Sequence, residues 1–266
     1  MQDVVAKREE HFHDGWARTI AVDDVLVDET FQACTSPENR LILERLGDIR
    51  GKKILELGCG AGEASVYFAK QGASVTATDI SPGMLDVVQK VSCKHGVTVE
   101  TKKCSACDIA FPDSSFDIVY AANLLHHVDI EETLSEVKRV LKEGGMFVAW
   151  DPLIHNPAIN IYRSIAREVR TDDEHPLHMK DLDLFRKHFS SVSFETTWFF
   201  TLWIFARFYF IDKVDPNKER YWKKIITDSK KLEKTYYKLE KLDKLFLKGL
   251  PFLKRYCWNI VVFAVK

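Results

Sequence analysis

The chain lacks a dense set of cysteines: Cys34, Cys59, Cys93, Cys104, Cys107 and Cys257 are spread over 266 residues. Six scattered thiols do not make a disulfide framework. The opening stretch, Met1–Glu10, is polar and has no apolar centre, so no secretory leader is read there. A reduced, cytoplasmic protein is the expectation. No long hydrophobic run is present either. The one that stands out, 198–210, has too few apolar residues to span a bilayer, which takes about 20. A metal site has little to build on. Cys104-x-x-Cys107 would need two further ligands at sensible spacing; the expectation is no metal and two ordinary core cysteines. No recognised nucleic-acid-binding module occurs. Net charge is also nearly absent, at −1, but this hides an imbalance. Residues 213–255 hold 14 Lys and Arg against 6 Asp and Glu, and the rest of the chain is correspondingly acidic.

What is present is a glycine turn. Ile54-Leu-Glu-Leu-Gly-Cys-Gly-Ala-Gly-Glu63 places Gly58, Gly60 and Gly62 between a strand-like run, 53–57, and a helix-like run, 64–70, with Gly72 as a stop. About 20 residues on, Asp79 ends the next strand-like run. An acid at that distance from a glycine turn is the pattern of an adenosine-cofactor site. The dinucleotide fingerprint G-x-G-x-x-G is not matched, because Glu63 stands where its third glycine belongs. Glu56 lies just before the turn. Two carboxylates disfavour a pyrophosphate and suit a cationic sulfonium amino acid. The residues therefore point to S-adenosyl-L-methionine (SAM), with Cys59 inside the turn and Asp79 accepting from the ribose hydroxyls. A tight turn with no ligand is the plainer alternative.

Strand-like runs near 53–57, 74–79, 98–103, 116–122 and 145–150 alternate with helical ones. Such alternation implies an α/β fold with a parallel sheet, helices on both faces and ligands beyond the carboxyl ends of the strands. With Cys104–Pro112, Phe116–Asn123 and the Gly144-Gly145 turn added, residues 51–152 resemble the class I SAM-dependent methyltransferases, close to the ubiquinone and menaquinone biosynthesis group. The resemblance implies a Rossmann-like, seven-stranded, mostly parallel sheet, with two last strands near 191–197 and 259–265, one of them antiparallel. It also implies that Ile80 packs on adenine, that Cys107 and Asp108 border it, and that Asn123 and Leu124 line the floor beneath the methyl group. Ser36 is read as the N-cap of a helix starting at Pro37. The division expected is an N-terminal helical segment, 1–50, that covers the site, a SAM-binding core, 51–198, a helical insertion, 199–258, and a last strand, 259–266.

Methyl transfer from a sulfonium needs an acceptor held in line and water excluded; a base is optional. His126 and His127, after the fourth strand, are the candidate bases, with loop-fixing histidines as the alternative. The segment after the fifth strand is dense in His155, Asn156, Tyr162, Arg163, Arg170, Glu174 and His175. It reads either as an acceptor pocket in which arginine clamps a carboxylate or phosphate, or as a loop tied by its own ion pairs. The insertion opens on the aromatic run and continues as a basic helix with Ile225, Leu232, Tyr236, Leu239, Leu242 and Phe246 at helical spacing. It reads as a buried cap, or as a peripheral membrane contact through 198–255. The reading as a whole is methyl transfer from SAM to a small-molecule or lipid-like acceptor. A non-catalytic SAM-binding scaffold and a nucleotide-dependent oxidoreductase are the alternatives.

Overall fold

Successive residues along each central strand face opposite sides of a sheet, and here both sides are apolar. Ile54, Ile118, Tyr120, Val148, Val261 and Phe263 belong to one core, and Leu55, Leu57, Val119, Ala121, Phe147, Ala149 and Val262 to the other. Only a sheet covered on both faces satisfies that pattern. The computed structural model, which describes residues 2–165, 175–215 and 219–266, has this form. Its strands are β1 Lys53–Leu57, β2 Ser74–Asp79, β3 Glu100–Lys103, β4 Phe116–Ala122, β5 Leu141–Pro152, β6 Ser191–Thr197 and β7 Asn259–Val265, in the order 3-2-1-4-5-7-6. β7 runs antiparallel to both β5 and β6, and the pairs among β1–β5 are parallel. The seven-stranded, mostly parallel sheet is as expected. Two strands differ at their ends. β3 is shorter than 98–103, and β5 extends beyond 145–150 because a register shift between Phe116 and Ile118 lets Leu141 join the ladder.

On the first face and around its rim lie α1 (Gln2–Ala17), α2 (Val27–Gln32), α3 (Pro37–Leu46), α4 (Glu63–Lys70) and α5 (Pro82–Lys94). After them come α6 (Ile130–Val140), α7 (Pro157–Ile165) and α8 (Leu182–His188), with α6 and α8 packed on the second face. Local chemistry sets several starts. Ser81 caps α5 by accepting from the Met84 N–H, with Pro82 at the first helical position. Asp129 caps α6 in the same way through the Glu132 N–H. Pro37 does open α3, but the Ser36 side chain makes no capping hydrogen bond.

Between β6 and β7 the chain leaves the sheet. Trp198, 2% exposed with φ +66°, turns it outward. α9 (Trp203–Phe210), α10 (Tyr221–Thr227) and α11 (Ser229–Gly249) follow. Their core joins Trp198, Phe205, Phe208, Tyr221, Ile225, Leu232 and Tyr236 to Ala33 and Ile159, so the insertion rests on segments from both sides of the site. The helical stripe expected along this segment is interrupted. A break at Asp228 separates Ile225 from the rest, and Leu242 and Phe246 are 41% and 39% exposed. Asp243 turns inward instead. It accepts the Phe199, Phe200 and Thr201 N–H groups and the Thr201 hydroxyl, pinning α11 to the turn before α9. Among the described residues no helix is long and apolar enough to cross a membrane.

Candidate active site

The glycine turn sits at the carboxyl end of β1. Gly58, Gly60 and Gly62 all have positive φ, at +64°, +50° and +87°. Two of them are closed in. A Cβ on Gly58 would come 2.8 Å from Leu124 Cδ1, and one on Gly62 would come 2.9 Å from Val88 Cγ2. A Cβ on Gly60 meets nothing within 4 Å. The turn thus packs tightly on both flanks and is open at its tip, where a ligand can approach the main chain.

Carboxylates surround this opening. Glu56 is 3% exposed and accepts from the Ser65 hydroxyl. Burial pushes it up to about 8, and the charges of Glu63 and Asp79 push the same way. Burial also raises Glu63, against which Lys223 of α10 acts. Asp79, 6% exposed, takes the Gly60 N–H on Oδ2 at 3.0 Å and the Ser81 N–H on Oδ1 at 2.9 Å. It therefore braces the turn against the start of α5, and burial raises its carboxyl despite those two bonds. Three acids held above their ordinary range with an open main chain between them suit a cation and oppose a pyrophosphate. The residues present fit SAM, whose sulfonium and amino groups are positive.

A second cluster lies at the carboxyl ends of β4 and β5. His126 Nδ1 is 2.7 Å from Asp151 Oδ1, and the Asp151 side chain is wholly buried. Burial lifts Asp151 to about 8 against the backbone N–H groups of His126 and Leu125. The His127 ring lies 4.1 Å from that of His126, centroid to centroid. Its Nδ1 is 3.5 Å from Glu9 Oε2 on α1, and the same oxygen is 3.5 Å from His13 Nε2. Burial, then the neighbouring His126, pushes His127 down to about 3.

The match to a family model described as "methyltransferase domain" covers residues 55–149, the stretch that carries the glycine turn, Asp79, His126 and His127. Residues 55–149 form a class I SAM-dependent methyltransferase domain. An uncharacterized methyltransferase of Synechocystis is 36% identical over 123 residues, 45% of this chain and 55% of that one. A ubiquinone biosynthesis O-methyltransferase of Pseudomonas syringae pv. tomato is 32% identical over 129 residues, 47% and 55% of the two chains. The chain spans about half the length of the curated relatives it matches. Among solved structures, a Bacillus subtilis protein named YcgJ superposes with TM-score 0.57 at 18% identity, over 86% of this chain and 97% of that one. Phosphoethanolamine N-methyltransferase 2 of Haemonchus contortus, solved with SAM, gives TM-score 0.57 at 22% identity, over 86% and 51%. These two share the fold of the domain.

Within the methyltransferase domain the expected cofactor residues fall into one region. Glu56, Gly58, Cys59, Gly60, Gly62 and Asp79 form the turn and its brace, and Cys59 is buried with its N–H on the Thr78 carbonyl. Ile80 is half-buried beside Asp79, while Asp108 is exposed. The Cys107 thiol faces α6, 3.5 Å from Thr133 Oγ1. Asn123 is exposed with φ +52°, and Leu124 packs on Gly58. The acceptor candidates are more dispersed. Asn156 is buried and its amide is engaged by backbone, donating to the Tyr256 carbonyl at 2.5 Å and accepting from the Ile159 N–H at 3.0 Å. It holds the start of α7. His155 is exposed, its ring 5.2 Å from that of His178, and burial lowers it before the charge of His178 does. The His175 N–H donates to the His126 carbonyl at 2.8 Å, which returns the chain to the histidine pair. Tyr162 and Arg163 lie on α7, and Arg170 and Glu174 lie outside the described residues.

Sequence reasoning missed the contribution of α1. Asp14 Oδ1 accepts from the Ser81 hydroxyl at 2.5 Å and from the Gly83 N–H at 3.0 Å. A carboxylate there meets the positive end of α5, and these two bonds hold the acid below its ordinary range. Trp16 lies under the Arg220 guanidinium, 4.1 Å from the ring centroid. The available signal was Glu9 and His13 one helical turn apart, followed by Asp14.

Proposed function

We propose that the protein transfers a methyl group from SAM to a small-molecule or lipid-like acceptor. The observation that carries the reading is the glycine turn: open only at Gly60, lined by Glu56 and Glu63, and braced by Asp79. SAM supplies an activated methyl group on a sulfonium when bound. The chain's own part is then to hold it, to align the acceptor and to exclude water. Glu56 and the turn hold the methionine end. Asp79 keeps lone pairs beyond its two backbone bonds for the ribose hydroxyls, and Ile80, Cys107 and Asp108 border the adenine. His126 and His127 are the candidate bases for an acceptor that must lose a proton; burial and His126 hold His127 down to about 3, which suits the site better to acceptors that need no base. The relatives include enzymes named for ubiquinone O-methylation and demethylmenaquinone methylation, which favours an acceptor of quinol type. Residues 199–258 act as the cap, since α10 sets Arg220 on Trp16 and Lys223 toward Glu63. Asp79→Ala tests the donor assignment. Loss of charged hydrogen bonds worth about 1.5–3 kcal/mol weakens SAM binding about 10- to 100-fold by calorimetry. Unchanged affinity would refute it.

A peripheral membrane contact is proposed for the same insertion. On α11, Leu242, Leu245, Phe246 and then Leu250 and Phe252 are exposed beside the exposed Lys238, Lys241, Lys244 and Lys248. On α9, Trp203 and Phe210 are both 66% exposed on the face opposite Phe205 and Phe208. An apolar strip flanked by lysines suits an anionic lipid surface. Flotation with phosphatidylserine vesicles at low salt, lost with neutral lipid, is the expected result; no flotation leaves the insertion a cap alone.

A further inference from the structure

We propose that His155, His178 and Arg255 form a binding site for the phosphate group of a phospholipid, with the adjoining apolar pocket taking the first part of its acyl chains. The proposal deepens the membrane-contact reading and rests on it only for the source of the ligand; it does not depend on methyl transfer. Backbone pairing beyond the carboxyl end of β5 brings the three residues together. Leu153 gives its N–H to the Trp258 carbonyl at 2.6 Å, and Ile154 gives its own to the Leu177 carbonyl at 3.1 Å. The Asn156 amide holds the Tyr256 carbonyl at 2.5 Å. The 153–156 segment therefore runs between the segment that carries His178 and the one that carries Arg255. The His155 ring centroid is 5.2 Å from that of His178, and both His155 and Arg255 are exposed. Burial lowers the His155 imidazole, and the charges of His178 and Arg255 lower it further.

The acids beside this cluster are turned to other partners. Asp181 accepts the His178 N–H at 2.8 Å, and Glu195 pairs with Lys254 at 3.6 Å. Among the described residues no carboxylate pairs with Arg255, whose guanidinium lies 4.9 Å from the Tyr256 ring centroid. Like charges gathered at one place are relieved by an anion. A phosphate suits this set, because a guanidinium meets its oxygens as a fork and each protonated imidazole adds a donor. The neighbourhood says which kind of phosphate. A pocket of about 370 Å³ lies against β6 and the Pro251–Tyr256 turn, with Met179, Phe194, Pro251 and Phe252 as its apolar walls and Lys254 and Arg255 as its charged rim. Phe252 is 60% exposed, and Leu250 and Leu245 continue the apolar surface onto the lysine-bearing face of α11. A small phosphate ester has no use for such walls, whereas one with acyl chains does. The pocket belongs to the second face at the edge strand β6, with β4, β5 and β7 between it and β1, so this lipid is held apart from the glycine turn.

The test uses a lipid that stays monomeric. Dihexanoyl phosphatidic acid and glycerol 3-phosphate share the phosphate, and only the first carries chains. Calorimetry on the full chain is expected to show phosphatidic acid bound at least about tenfold more tightly. Arg255→Gln is expected to weaken it about 10- to 100-fold, and Arg255→Lys to weaken it less, because the charge stays while the fork is lost. Phe252→Ser should bring phosphatidic acid down to the level of glycerol 3-phosphate. SAM affinity unchanged in all three variants checks that they fold. Nuclear magnetic resonance of 13C-labelled histidine should show the His155 pKa rise on binding, since an anion favours the charged imidazole. Equal affinity for the two ligands overturns the lipid source. No binding of either, or binding that survives Arg255→Gln with an unmoved His155 titration, overturns the site. The membrane reading fails separately. Flotation on anionic vesicles without phosphatidic acid binding refutes the pocket and leaves the contact; phosphatidic acid binding without flotation refutes the contact and leaves the pocket.

Discussion

Asp79 and Asp151 are both buried acids at strand ends and both take backbone N–H groups, but only Asp151 also pairs with a side chain. Asp79 receives backbone N–H groups from Gly60 and Ser81, residues close to it along the chain or across one turn. Asp151 takes the His126 N–H at 3.3 Å but lies closer, at 2.7 Å, to the His126 ring, whose neighbour His127 lies 3.5 Å from Glu9 near the start of the chain. The donor end is thus built from one continuous stretch, β1 to α5, and fixed by main-chain geometry. The end proposed for the acceptor is assembled from α1, the turn after β4, the end of β5 and the loop at His175. The first end keeps its shape wherever the sheet forms. The second depends on the docking of a helix and is the part free to change with the acceptor.

The contrast can be broken most strongly at Gly62. There φ is +87° and a Cβ would come 2.9 Å from Val88. Gly62→Val adds left-handed strain of about 1–2 kcal/mol and overpacking of about 1–3 kcal/mol, so urea unfolding should show a loss of about 2–5 kcal/mol. Asp14→Ala probes the other end. Removing this clamp on the start of α5 is comparable to losing a helix cap, about 0.5–2 kcal/mol. Hydrogen exchange should quicken across Gln2–Ala17, while SAM affinity changes little. If affinity fell as far as in Asp79→Ala, the two ends would not be separable.

Protons sharpen the comparison. Glu56 holds its proton up to about 8 in the free protein. A cationic ligand favours the carboxylate, so SAM binding at pH 7 should release a proton. Affinity should rise with pH by up to about tenfold per unit and level off above about 8. Calorimetry in phosphate and in Tris, whose ionisation heats differ, measures the release, and Glu56→Gln removes it. The smallest effect is expected at Leu245, 66% exposed on α11. Leu245→Glu should leave unfolding within about 0.5 kcal/mol while reducing flotation with anionic vesicles.

β1, β2, β4 and β5 were legible in the sequence because strands buried in the sheet read as apolar runs, and so was the donor turn, because three glycines before an acid have few other uses; β6 and β7 came only from the resemblance, and β3, exposed along Glu100–Lys103, carries no apolar run. The acceptor side was legible only in part: His126 and His127 stand out after the fourth strand, but the α1 residues beside them do not. Glu9 and His13 are polar residues on a polar helix, and nothing local says that their spacing matches His127. The α11 stripe misled for a related reason. Leu242 and Phe246 keep the period of the buried Leu232 and Tyr236, but Asp243 has hydrogen bonds to satisfy at the Phe199–Thr201 turn, and that rotates the apolar side outward.

The place of β7 bears on the order in which the molecule comes together. It lies between β5 and β6, and β6 has no other neighbour in the sheet. During synthesis β6 leaves the ribosome with no partner and waits until β7 follows, about 60 residues later. At about 5–20 residues per second the wait is roughly 3–12 s. Throughout that interval the β5 edge stays open and the aromatic residues of the insertion have no finished sheet to settle on. The sheet is therefore completed by the last strand of the chain, which closes both the β5 edge and the β6 edge at once.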